Sequence, residues 1–285
     1  MKKIISLSFV LMLLFIFAVG CASSDSQGFD SSQFINVVSR EDGSGTRGAF
    51  VEIVEVEDAD GNDATSLEAV IQNSTNGIMA TVAGDKYSIG YISLGSLNDS
   101  VTSVSVDGVE ATAENVKSGH YKIARPFNIA YKNDISEVAQ DFINFILSAD
   151  GQAIVEENSL VAAVEGDTYS PSGLSGNIVV GGSTSVTPLM EKLAEAYEAL
   201  NEGVSIEIQS TGSSAGMTGA MEGSLDIGMA SRDLKDSEKA ELEHQAIAID
   251  GIAVIVNNEN TITDLTLEEI QGIYLGEITS WNEVE

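Results

Sequence analysis

The sequence predicts an α/β protein with room for two domains, and three observations carry that expectation. The chain has 285 residues, enough to bury a sizeable core. Four times a short apolar run leads into a turn rich in glycine and hydroxyl side chains, and after three of these a helical pattern resumes. Elsewhere apolar residues recur at helical spacing, as in Val138, Phe142, Phe145 and Ile146. Composition bounds function before any motif is read. Lysine and arginine number 13 against 44 aspartate and glutamate, a formal net charge of −31, which argues against a nucleic-acid surface. With that charge, a bound anion must be held by local dipoles and one or two arginines rather than drawn in by a positive field.

Residues 1–20 read as a lipoprotein signal peptide. Lys2 and Lys3 precede an apolar run over 4–19, and Ala18-Val-Gly-Cys21 resembles a bacterial lipobox. Cys21, the only cysteine, is then the expected site of diacylglycerol and palmitate attachment. A transmembrane anchor competes, but the run is short and ends in small residues. Residues 21–33, rich in Ser and Asp, read as a flexible tether. Removal of the leader takes away two lysines and moves the charge from −31 to −33.

The first turn follows a strand over 35–38. Gly43 and Gly45 let the backbone curl, and Ala49, Phe50 and Val51 resume an apolar pattern. The amides of Gly45 and Thr46, the hydroxyls of Ser44 and Thr46, and the fork of Arg40 then form an oxyanion cradle. Gly43, Gly45 and Gly48 also fall at G-x-G-x-x-G spacing, but a dinucleotide unit needs a second strand ending in a single acid. Here the chain runs into Glu55, Glu57, Asp58, Asp60 and Asp63. A purely structural glycine turn is the other alternative. Residues 57–62 resemble a calcium loop, yet Asp63 stands where the sharp-turn glycine belongs and Ala69 where the bidentate glutamate belongs. An exposed turn is expected, and no metal. Residues 66–71 and 76–82 read as short helices, 87–94 as a buried strand, and 101–109 as a hairpin around Asp107 and Gly108. Residues 121–131 read as a strand interrupted by Pro126, suited to a crossing between domains, and 162–176 as a loop or linker.

A second cradle occupies 177–190. After a strand over 178–180, Ser183, Thr184 and Ser185 populate the turn, and Thr187 reads as an N-cap followed by Pro188. The helix is expected to bury Leu189, Leu193, Tyr197 and Leu200. A third turn follows the strand 204–208, and Gly212-Ser-Ser-Ala-Gly216 fits G-x-S-x-G in the strand-turn-helix context of a nucleophile elbow. Ser214, Asp226 or Asp233, and His244 follow in a triad-like order. His244, however, falls in what reads as an acidic, exposed helix, and the other histidine, His120, sits in a turn. A secreted serine esterase using Ser214 is therefore the rival from another class. The fourth turn, at 225–232, offers Ser231 and Arg232. Residues 250–257 read as an apolar strand, and Thr266 with Glu269 as a capping box opening a helix through Tyr274.

Five motifs in combination carry a resemblance: Gly182-Ser-Thr-Ser-Val-Thr-Pro188, Thr211-Gly-Ser-Ser-Ala-Gly216, Asp226-Ile-Gly-Met-Ala-Ser-Arg232, Asp250-Gly-Ile-Ala-Val-Ile-Val-Asn257 and Ser39-Arg-Glu-Asp-Gly-Ser-Gly-Thr46. Together they resemble the phosphate-binding lipoproteins of bacterial ABC phosphate importers. The resemblance implies the type II periplasmic-binding-protein fold, with two α/β lobes joined by two crossings and the ligand in the interlobe cleft. It also implies a monomeric, non-enzymatic receptor without cofactor. Such a protein would be lipid-anchored outside the cytoplasm, capture inorganic phosphate and deliver it to ABC permease subunits. The site it implies takes Arg40, Ser44, Gly45 and Thr46 from one lobe and Ser185, Val186 through its amide, Thr187, Ser213 and Ser231 from the other, with Asp42 orienting Arg40.

Two departures qualify the resemblance. Ser231 stands where much of the family has an aspartate that accepts the proton of hydrogen phosphate. Another tetrahedral oxyanion such as sulfate is thus the alternative ligand, unless Asp42 or Glu41 discriminates. The halves are also in exchanged order, which reads as a circular permutation with residues 162–176 joining the ancestral ends. The expected lobes are residues 34–119 plus 257–285, and 120–256. Crossings are expected near 120–126 and 256–260, with the strand 123–130 paired to 252–256.

Overall fold

A computed structural model describes residues 28–284, and the leader and Cys21 lie outside the described residues. In chain order the strands are β1 (Asn36–Arg40), β2 (Val70–Gln72), β3 (Ser88–Ser93), β4 (Thr102–Ser103), β5 (Ser105–Val106), β6 (Ala124–Tyr131), β7 (Val161–Ala162), β8 (Gly176–Gly182), β9 (Val204–Ser210), β10 (Ile227–Ala230), β11 (Glu243–Val256) and β12 (Asp264–Leu265). The helices are α1 (Gly45–Val54), α2 (Thr75–Gly84), α3 (Ala113–Lys117), α4 (Glu137–Ile146), α5 (Ala149–Glu157), α6 (Thr187–Leu200), α7 (Ser213–Glu222), α8 (Asp236–Lys239) and α9 (Leu267–Leu275).

The long strand β11 organises the sheet, whose order is β2-β1-β3-β11-β6-β10-β8-β9. Residues Glu243 to Gly251 of β11 run antiparallel to β6, and Ile252 to Val256 run antiparallel to β3. Outward from this centre the pairs β1–β2, β1–β3, β8–β9 and β8–β10 are parallel. Parallel strands need crossover helices and are covered on both faces, which is why β3 and β10 are buried along their whole length. Their order also brings the turns after β1, β8, β9 and β10 to one place.

Several local expectations are corrected here. The strand 123–130 pairs with the first part of β11, not with 252–256. The reason is that 241–244 does not continue as a helix: His244 is the second residue of β11, opposite Ala130. Residues 66–71 are not a helix, because the β-branched Val70 and Ile71 add the edge strand β2 to β1. Helix α6 starts at Thr187 with Val186 as its cap, so Thr187 is not the N-cap. Leu200, at the end of that helix, is 48% exposed. Asp107 and Gly108 form the expected tight turn, with φ of 51° and 75°, closed by a single antiparallel bridge between Val106 and Val109; the hairpin is that short because β5 goes on to pair with β12.

Two apolar clusters fix the helices whose N-termini matter. Phe127, Ile129, Phe142, Phe145, Leu189, Leu193 and Tyr197 pack α4 and α6 against β6 and β8. At the other end Phe50 of α1 stacks on Tyr91 at 4.0 Å between centroids and meets Tyr274 edge-on at 4.8 Å. Such contacts are worth about 0.5–1.5 kcal/mol each beyond area burial. Helix α7 lies directly on β8, where a Cβ at Gly216 would fall 2.5 Å from the Cα of Gly182; only glycine permits that approach. The segment before β1 adjoins the end of the chain: Ile35 donates its amide to the Thr279 carbonyl at 2.8 Å, and Phe34 bridges to Ser280.

Candidate anion site

Helices α1, α2, α6 and α7 each begin just after a strand, so their unpaired N-terminal amides and positive dipole ends lie beyond the sheet edge. Ser44 caps α1 by accepting from the Arg47 amide at 3.4 Å, and Ser74 caps α2 by accepting from Gly77 at 3.1 Å. The side chains beside these caps converge. Thr46 Oγ1 lies 2.8 Å from Ser185 Oγ and 3.4 Å from Ser231 Oγ. Ser183 Oγ donates to Ser231 Oγ at 2.9 Å, and the Ser231 amide donates to Ser213 Oγ at 3.2 Å. Thr75 Oγ1 sits 3.2 Å from Ser185 Oγ. All six hydroxyl residues are at most 3% exposed. Gly45 is so close that a Cβ there would lie 2.4 Å from Ser213 Oγ.

Arg40 is 2% exposed and held on several sides. Its amide donates to the Tyr91 hydroxyl at 3.3 Å, and its carbonyl accepts from Arg47 Nη1 at 2.9 Å. Arg47 is itself tied to Asp63 at 2.6 Å. The carboxylate that grips Arg40 is Glu41, whose two oxygens each take a hydrogen bond of 2.7 Å. This corrects the expectation that Asp42 orients Arg40: the turn after β1 lays the adjacent side chain, not the next one, along the guanidinium.

The structure thus brings Gly45, Thr46, Ser185, Ser213 and Ser231 together. Ser44 caps α1 through its hydroxyl oxygen, which leaves its O–H to donate. The Val186 side chain is fully buried and its amide donates to the Ser183 carbonyl at 3.2 Å. The Thr187 hydroxyl donates to that same carbonyl at 3.0 Å, so it braces the turn instead of joining the hydroxyl cluster. Thr75 and Ser183 belong to the cluster although sequence reasoning did not place them there. For Thr75 a signal existed, two hydroxyl residues in succession ahead of an apolar helix.

Ser214, Asp226 and His244 are not joined by hydrogen bonds among the described residues. The Ser214 amide donates to the Gly43 carbonyl at 3.2 Å, the Asp226 carboxylate accepts from the Val179 amide at 2.8 Å, and His244 is exposed on β11. Among the described residues no group of three or more His, Cys, Asp or Glu could hold a metal. Near the point where β11 changes partner, Arg125 and Asp250 form a buried ion pair at 2.9 Å. Burial pushes the Asp250 carboxyl up to about 6, opposed by the Arg125 charge.

A buried shell of hydroxyls and helix amides can desolvate a small oxyanion and satisfy it with hydrogen bonds. That fold and that shell define a solute-binding protein. The family described as PBP superfamily domain matches residues 16–150 and 167–285, and the chain belongs to it. It is 46% identical over 288 residues to a protein of Streptococcus agalactiae serotype V named phosphate-binding protein PstS 2, covering 99% of this chain and 98% of that one. A protein of the same name from Streptococcus pneumoniae serotype 4 is 46% identical over 272 residues, 94% of each chain. A crystal structure of a phosphate ABC transporter phosphate-binding protein from Streptococcus pneumoniae TIGR4 superposes with a TM-score of 0.71 at 48% identity, over 88% of this chain and 100% of that one. A phosphate-binding protein of Staphylococcus saprophyticus is 33% identical over 143 residues, 47% of this chain and 45% of that protein.

Proposed function

We propose that the chain is an extracytoplasmic solute-binding protein that captures inorganic phosphate and delivers it to an ABC importer. The observation that carries this is the convergence of Thr46, Thr75, Ser183, Ser185, Ser213 and Ser231, all buried and all beside the caps of helices from both halves of the sheet. A tetrahedral anion there is met by donors on every side, and no nucleophile with its base stands among them. The site we read takes Arg40, Ser44, Gly45, Thr46, Ser185, Ser213 and Ser231 as ligands, adds Thr75 and Ser183, and leaves Thr187 to shape its turn.

The protein is proposed to be a monomer held to the membrane through a lipid on Cys21. Its lobes are read as 34–119 with 257–285, and 120–256, exchanged in order by a circular permutation. Support for that order comes from the contact of Ile35 with Thr279 and from the half-length match to the Staphylococcus relative. Calorimetric titration of the mature chain with phosphate and with sulfate tests the ligand: saturable heat with phosphate is expected, and heat with sulfate alone would replace phosphate as the ligand. Ester hydrolysis lost in Ser214→Ala would refute the receptor reading altogether.

A further inference from the structure

A guanidinium has two edges that can grip an oxyanion with parallel hydrogen bonds, one formed by Nε and Nη2 and the other by Nη1 and Nη2. In Arg40 the first edge is taken, since Nε donates to Oε2 and Nη2 to Oε1 of Glu41, both at 2.7 Å. The Arg40 side chain is 3% exposed and that of Glu41 25%. The carboxylate therefore sits outside and the guanidinium inside. Glu41 also reaches the opposite half of the site: its Oε1 lies 3.6 Å from the point a Cβ on Gly212 would occupy. Gly212 caps α7, whose first residue is Ser213. The positive end of that helix favours a carboxylate at this place.

From this juxtaposition we infer that Glu41 is the positioning residue of the anion site. It holds Arg40 by one edge so that the Nη1–Nη2 edge is the one left for the ligand, and it completes this arrangement where α7 closes against it. Holding a long side chain in one rotamer removes an ordering cost that binding would otherwise carry. By charge alone a carboxylate beside an anion site repels the ligand, so the sign of the effect of removing it separates the two roles. The inference rests on the phosphate reading above.

The test is calorimetric titration of inorganic phosphate into the mature chain, Glu41→Ala, Arg40→Lys and the double variant, with thermal unfolding of each. Glu41→Ala is expected to bind about tenfold more weakly, as one oriented charged contact is lost. In the Arg40→Lys background, where no fork exists to be held, Glu41→Ala is expected to cause no further loss. A merely structural role would weaken both backgrounds alike and lower the melting temperature. Binding by Glu41→Ala as tight as or tighter than that of the unchanged chain overturns the inference, and so does an equal loss in both backgrounds. If the unchanged chain gives no heat with phosphate, the functional reading fails first and takes this one with it.

Discussion

Adding one methyl group at Gly45 should abolish tight binding while leaving the fold intact. An ideal Cβ at Gly45 lies 2.4 Å from Ser213 Oγ, 3.0 Å from Ser213 Cβ and 2.9 Å from Ser231 Oγ. Ordinary contact begins near 3.4 Å, so the ends of α1 and α7 must part by about 1 Å. Ser213 cannot easily turn aside, because it is fully buried and its Oγ accepts from the Ser231 amide. A parting of that size takes the bond between these two ends, from the Ser214 amide to the Gly43 carbonyl and now 3.2 Å, beyond hydrogen-bond range. If two bonds to the anion are lost, each worth about 1.5 kcal/mol or more, affinity falls by about 3 kcal/mol, or roughly 150-fold. For stability, the cost of that parting, about 1–3 kcal/mol for overpacking, is offset only in part by helix propensity. Gly45 opens α1 without a left-handed φ, and alanine in a helix gains up to about 1 kcal/mol over glycine. Phosphate titration by calorimetry, with thermal unfolding of the same samples, measures both. Gly84→Ala serves as control, since nothing lies within 4 Å of its Cβ. Phosphate affinity of Gly45→Ala within threefold of the unchanged chain would refute the close approach on which the site is built.

Other predictions address the remaining parts of the site and its support. Arg40→Ala should weaken phosphate binding by about 2 kcal/mol or more by calorimetry, with Arg40→Lys recovering only part, since lysine lacks the planar fork. Thr75→Val, which keeps shape and removes the hydroxyl, should cost about 1 kcal/mol in phosphate affinity, and unchanged affinity would remove Thr75 from the cluster. Asp250 has its carboxyl raised from 3.8 to about 6 by burial. The folded chain therefore holds that proton more tightly than the unfolded one across this window. Its contribution to stability falls as pH rises through the window. Denaturant unfolding should show this slope in the unchanged chain relative to Asp250→Asn, and parallel pH profiles would refute it. At neutral pH Asp250→Asn should lose about 3–5 kcal/mol, because Arg125 is left buried without its partner.

The elements were largely legible in the sequence because their causes are local. β-Branched runs before glycine and hydroxyl turns gave β1, β8 and β9, the spacing of Val138, Phe142 and Phe145 gave α4, and the Thr266–Glu269 box gave the start of α9, where both of its hydrogen bonds form. The turns themselves offered Arg40, Gly45, Thr46, Ser185 and Ser231 as donors at strand ends and helix N-termini, and the resemblance carried by the motifs added Ser213. What the tertiary structure alone decided was which of these groups meet. Thr46 and Ser231 are separated by 185 residues, and Thr75 and Ser185 by 110. Nothing in either neighbourhood reports the other, because contact across a sheet depends on strand order and register. The same is true of β11, whose single apolar pattern fits either neighbour and whose change of partner at Gly251 to Ile252 follows from the packing of the whole sheet. It is true of Arg125 and Asp250, whose pairing across two strands no local pattern announces. The choice between Glu41 and Asp42 is the smallest case. Both are within reach of Arg40 by chain length, and only the path of the turn, with Gly43 at a φ of 83°, sets which side chain lies along the guanidinium.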